Sequence, residues 1–167
     1  VDNTGARVYG YQRTAGAAAL AAVVGTPVGV GTDPEAVLLD PTGRFLYVAD
    51  LDTLRVFDTK TGKPVTTVSF TGQPGTVALV DVAANQQGLL YASDMDANVI
   101  YRIDPAKQHA VSVLVRDAAL AGPRGLAVHP KTGRLIAVSW HKGSIVEISE
   151  NGTITELVSN GFFSSRF

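Results

Sequence analysis

PEAVLLDPTGRFLYVADLDTLRVFDTKTGKPVTTVSF, residues 34–70, holds short apolar runs separated by turn signals. Residues 36–39 come first, followed by Asp40-Pro41-Thr42-Gly43, where proline presets φ and glycine tolerates φ > 0. Residues 45–49 are rich in β-formers and stop at Asp50-Leu51-Asp52-Thr53. Residues 54–57 end at Asp58-Thr59-Lys60-Thr61-Gly62, and residues 65–70 close the unit. Short strands joined by tight turns in this way predict one four-stranded antiparallel meander.

The meander recurs on both sides. The end of its second strand reads YVAD at Asp50, YASD at Asp94 and IAVS at Ser139, spaced by 44 and 45 residues. A fourth copy opens the chain, where Asp2-Asn3-Thr4-Gly5 and ARVYGY match Asp50-Leu51-Asp52-Thr53 and LRVF. First strands open at Pro34, Pro74 and Pro123; the distance from Pro to marker is 16, 20 and 16 residues. The spacing places the four extra residues in the hairpin DVAANQQG, residues 81–88, because hairpin tips tolerate insertion. The units are a half blade at 1–30, blades at 31–72, 73–118 and 119–160, and a start of the next blade or a tail at 161–167, all in one domain. In this register the alanine-rich run 15–24 is an outer strand, although its local propensity favours helix.

A meander of about 45 residues cannot bury both faces alone and is stabilised by stacking on its neighbours, which propellers do radially. Second strands apolar on both faces, FLYVA and LLYAS, fit that role. The motifs are Asp40-Pro41-Thr42-Gly43-Arg44 with Tyr47-Val48-Ala49-Asp50, and Val56-Phe57-Asp58 with Thr61-Gly62. Gly122-Pro123-Arg124-Gly125-Leu126-Ala127-Val128 and Lys131-Thr132-Gly133-Arg134 repeat the theme. With these the chain resembles the β-propellers of the NHL, YVTN and gluconolactonase-like repeat group. The expected fold is therefore all-β, a propeller of four-stranded antiparallel blades with about 3.5 blades present and a six- or seven-bladed ring when complete. An open ring exposes apolar blade faces. Either the chain is part of a longer one, as its start at Val1 inside a repeat suggests, or a protein partner or second copy closes the ring.

Composition narrows the partners. Hydrophobic residues at 46% and charged residues at 17% exclude disorder and suit a substantial core. A net charge of −1, scattered without blocks, argues against nucleic acid. There are no cysteines for disulfides or thiolate metal sites, and the longest apolar run, 17–24, is too short to span a bilayer.

Chemistry is sought in the loops after the second strands: Asp2-Asn3-Thr4, Asp50-Leu51-Asp52, Asp94-Met95-Asp96-Ala97-Asn98 and Ser139-Trp140-His141-Lys142. Carboxylates at equal corners of adjacent blades can hold a hard cation such as Ca²⁺, or each can cap its own turn. The last loop departs from the pattern and brings the chain's one Trp beside His and Lys. Trp140 can stack on a sugar or aromatic ligand or pack at a blade rim, and His141 can transfer a proton. Arg124 can grip a carboxylate or phosphate, and Lys142 is the third candidate ligand-binding residue. His129 reads as a turn residue and His109 as solvent-exposed. Asn151-Gly152-Thr153 fits both an Asn-Gly turn and a glycosylation acceptor.

The resemblance implies, in its gluconolactonase-like branch, a metal-dependent hydrolase in which an Asn leading into the first strand helps bind the metal. The matching positions here are Gly75, Glu35 and Arg124, and only Asp94 and Asp50 match the family's Asp after the second strand. The leading expectation is a binding or scaffold module, extracytoplasmic or secreted, that presents its loop face to a ligand or protein partner. The alternative is a metal-dependent hydrolase or lyase with Asp50 and Asp94 on a divalent cation and His141 as acid or base.

Overall fold

The structure is a computed structural model that describes residues 7–9, 11–12, 21–22, 28–73 and 77–159. Asp2, Gly75, most of the alanine-rich run 15–24 and the segment 161–167 lie outside the described residues. Two short antiparallel pairs come first: β1 (Arg7–Val8) with β4 (Val28–Gly29), and β2 (Tyr11–Gln12) with β3 (Ala21–Ala22). Ala21–Ala22 is thus strand, as the repeat register requires.

Three four-stranded antiparallel sheets follow, each a meander in chain order. The first blade is β5 (Pro34–Leu39), β6 (Phe45–Asp50), β7 (Thr53–Asp58) and β8 (Pro64–Ser69). The second is β9 (Leu79–Ala84), β10 (Leu90–Asp94), β11 (Val99–Asp104) and β12 (Ala110–Arg116). The third is β13 (Pro123–Val128), β14 (Leu135–Ser139), β15 (Ser144–Ile148) and β16 (Ile154–Val158). Pro34, Pro64 and Pro123 open their strands, where a missing N–H costs no interior ladder bond.

The blades stack face to face. Tyr47, Ala49, Leu54 and Val56 of the first blade share one core with Leu90, Ala92, Tyr101 and Ile103 of the second. Tyr91 and Ile100, on the second blade's other face, share another with Leu135, Ala137, Val146 and Ile148 of the third. β10 is buried along its whole length because it is covered from both sides, which explains why LLYAS does not alternate. The innermost strands β5, β9 and β13 lie side by side.

Pairing registers correct the placement of the insertion. Asp94 pairs with Leu79 as Asp50 pairs with Pro34 and Ser139 with Pro123, so Leu79, and not Pro74, is the counterpart of those prolines. The extra residues therefore lie in the connection before β9, and the hairpin after it is a tight turn. Its first residue is Asn85, whose N–H donates to Leu89 O (2.9 Å) as Asp40 donates to Phe45 O and His129 to Arg134 O (2.9 Å each). Asp81 sits inside β9, four residues before the turn it was expected to open.

His109 also differs from expectation. It is half-buried, and its Nε2 lies 3.4 Å from the Tyr47 hydroxyl of the preceding blade. Burial lowers its pKa. The polar turn folds back because Pro105–Lys107 form a 3₁₀ turn capped by Asp104, and Gln108 and His109 then take positive φ.

Candidate functional site

The markers Asp50, Asp94 and Ser139 occupy equivalent corners, but their chemistry declines from blade to blade. Asp50 is buried and fully engaged. Its Oδ1 accepts from Thr32 N (3.1 Å) and Asp33 N (2.8 Å), and its Oδ2 from Arg55 Nε (3.1 Å). The fit is tight enough that a Cβ on Gly31, at φ +118°, would fall 1.7 Å from Oδ2. Asp50 is thus a cap for the chain leading into β5 and an ion-pair partner within its own blade.

Asp94 is fully buried, and its Oδ1 accepts from Ala97 N (2.9 Å). Its Oδ2 has no hydrogen-bond partner among the described residues. Burial raises its pKa, and the N–H groups of Ala97 and Ala78 only partly offset this.

At Ser139 the carboxylate is gone, and the structure shows what replaces it. Gly122 N, in the position that Asp33 N holds before β5, donates to Asn98 Oδ1 at 2.7 Å. The cap comes from the preceding blade, so Ser139 has nothing to hold. Its hydroxyl and that of Ser144, paired with it across the strands, are buried and have no hydrogen-bond partner among the described residues. Asn98 is a residue that the sequence reading missed. The available signal was an Asn at the end of the longer loop 95–98, where its φ of 53° suits asparagine.

Among the described residues, no group of three or more His, Cys, Asp or Glu side chains is close enough to hold a metal ion. Both carboxylate oxygens of Asp50 already accept hydrogen bonds. The positions matching the family's Asn also change with the register. They are the bulged residues of the first strands, Glu35, Val80 and Arg124, each skipped in pairing beside a Pro or Leu partner of the marker.

That bulge builds the site. An extra residue in a strand turns its side chain away from the ladder. Arg124, aimed in this way, sets its guanidinium carbon 4.9 Å from the centre of the Trp140 ring, a cation–π contact. Trp140 is held from below, its N–H on Gly122 O (2.8 Å), and His141 N donates to Ala121 O (3.0 Å). The His141 ring lies over Gly122, where a Cβ would come 2.5 Å from Cδ2. Trp140 is 51% exposed, and Arg124 and His141 are exposed beside it. Arg124, Trp140 and His141 are therefore brought together on the loop face. Lys142 is not; it pairs with Glu156 of β16, towards the outer rim.

His129 serves its turn as Asp40 does, with Nδ1 accepting from Lys131 N and Thr132 N (3.2 Å each). Asn151 Oδ1 accepts from Thr153 N (3.3 Å) and Thr153 Oγ1 (3.0 Å), an Asx turn between β15 and β16.

The sequence matches no protein-family model and no curated protein. Solved structures do resemble the fold. A catalytically inactive virginiamycin B lyase from Staphylococcus aureus, solved with quinupristin, aligns at TM-score 0.69 and 14% identity over 93% of this chain and 49% of that one. A selenomethionine form of the same lyase aligns at 0.62 and 17% over 75% and 41%. A nidogen/laminin complex aligns at 0.65 and 16% over 84% and 52%. The chain spans about half the length of these structures or less. Its meanders, their stacking and this likeness together make it an all-β protein of the β-propeller fold, built from four-stranded antiparallel blades.

Proposed function

We propose that the chain is a propeller binding module of the NHL or YVTN type, whose loop face takes a ligand or protein partner at Arg124 and Trp140. The observation that carries this is the exposed Trp140 ring with a guanidinium over it, placed where the repeat breaks its own pattern. An aromatic face beside a fixed cation suits a group that joins a flat ring to a carboxylate or phosphate. The likeness to a structure of a nidogen/laminin complex supports a protein partner for such a face. No helix among the described residues is long and apolar enough to cross a membrane.

Trp140 is the only tryptophan, so intrinsic fluorescence reports on this site alone. Titration with phenyl phosphate and benzoate is expected to give saturable quenching, with acetate inert. Arg124→Ala is expected to weaken it about tenfold, the loss of one charge-assisted contact. Quenching that does not saturate, or that Arg124→Ala leaves unchanged, rejects the proposal.

A second reading, a hydrolase or lyase, is favoured by the exposed imidazole of His141 on the same face as Arg124. It predicts turnover that is abolished in His141→Ala while ligand quenching of Trp140 persists.

A further inference from the structure

The seam between the first and second blades contains an ion pair with one partner missing. Arg55 lies across the ladder from Val48, two residues before Asp50, and its Nε meets Asp50 Oδ2 at 3.1 Å. The same construction in the second blade puts Tyr101 across from Ala92, two residues before Asp94. In the third it puts Val146 across from Ala137, two before Ser139. The third blade has removed both charges, and the first has kept both. Only the second keeps the carboxylate without its cation. Asp94 Oδ2 and Tyr101 OH are both buried and, among the described residues, both unpartnered.

Buried polar atoms in folded proteins are nearly all satisfied, and a carboxylate oxygen is the most costly kind to leave bare. An open hollow of about 510 Å³, lined by Leu51, Asp52, Phe70, Gln73 and Val77 among others, lies next to this pair: Asp94 and Tyr101 are not in its lining, but Phe70 of its wall touches Tyr101. The Phe70 ring packs edge-on against Tyr101, with centroids 5.0 Å apart, and Ala78, next to Val77, directs its N–H at the Asp94 carboxylate. Leu51, at the rim, is exposed and holds a φ of 51°, a costly conformation for leucine.

We propose that this seam is a receptor for a small ligand bearing a guanidinium group. The group passes the Phe70 ring and takes the place on Asp94 Oδ2 that Arg55 fills on Asp50. Its planar face suits Phe70 and Tyr101, its N–H groups supply a donor to Asp94 Oδ2 and one for the Tyr101 hydroxyl, and Asp52 adds a second negative charge at the mouth. The site lies one seam away from Trp140 and is independent of the ligand proposed there.

The test is a titration of the chain with ethylguanidinium, followed by amide chemical shifts, with butylammonium and Ca²⁺ as separate arms. Saturable shifts are expected at Ala78, Asp94, Ala97 and Tyr101, weaker with butylammonium, with Trp140 fluorescence unchanged. Asp94→Asn keeps the side chain's size and is expected to weaken ethylguanidinium at least tenfold. Should that variant lose its native spectrum, Tyr101→Phe keeps the packing and is expected to weaken binding severalfold. The proposal is overturned by an absence of saturable shifts, by equal binding to the substituted chain, or by Ca²⁺ shifting those amides where ethylguanidinium does not.

Discussion

Asp94 is the residue on which burial and charge conflict most directly. With a folded pKa raised above the ordinary 3.8, it binds its proton more tightly folded than unfolded. Its contribution to stability is therefore full below the unfolded value and is lost as pH rises through the folded one. Asp81 is half-buried, and burial shifts it in the same direction, although Leu126 N and Val82 N donate to it. Asp58 runs the other way, because hydrogen bonds from Thr61 hold its pKa down. Asp94→Asn is expected to raise stability at pH 7 by about 1 kcal/mol, by removing an unpaired buried charge. In urea unfolding followed across pH, the gain should vanish as pH falls towards 4. A gain that persists in acid would show that ionisation is not its cause. Single residues were the least legible part of the sequence. Arg124 and Trp140 stood out by type, but their meeting depends on a bulge, which leaves no mark in an apolar pattern. Lys142 looked equivalent to them and turns to Glu156 instead.

Elements were more legible, because turn chemistry is local. Asp40-Pro41-Thr42-Gly43 and Lys131-Thr132-Gly133-Arg134 bound their strands to within a residue or two of the observed limits. Registers were not, since Pro74 resembles Pro34 and only cross-strand pairing shows that Leu79 takes its place. The same local logic explains why the blades differ. A cap supplied by a marker carboxylate in the first blade is supplied by Asn98 before the third, and Ser139 follows from that exchange. Asn98→Ala is expected to cost about 2 kcal/mol, one hydrogen bond plus the loss of a residue that tolerates positive φ. Ser139→Asp should restore part of this in the Asn98→Ala background and destabilise the unaltered chain. A double-mutant cycle by chemical denaturation measures the coupling, expected near 1 kcal/mol. Additive effects would mean that the two residues do not share the cap.

Over the whole molecule, stability comes from sheets leaning on one another, and few of those contacts can be read from the sequence. Tyr47 meets His109 across 62 positions, and Gln86 Nε2 donates to Pro130 O (3.0 Å) across 44. The most informative such contact joins the innermost strands. Leu126 N, on the free edge of β13, donates to Asp81 Oδ2 of the preceding blade at 2.7 Å. An edge N–H has no ladder partner, so the neighbouring carboxylate supplies one and closes the seam where the blades converge. Ala36 and Gly125, at the position of Asp81 in their own blades, carry no such group. Amide hydrogen exchange at Leu126 tests the radial stacking most directly. The account predicts slow exchange in the native chain and exchange at least tenfold faster in Asp81→Ala, with Ala137 in the same sheet little changed. Rapid exchange at Leu126 in the native chain would contradict it.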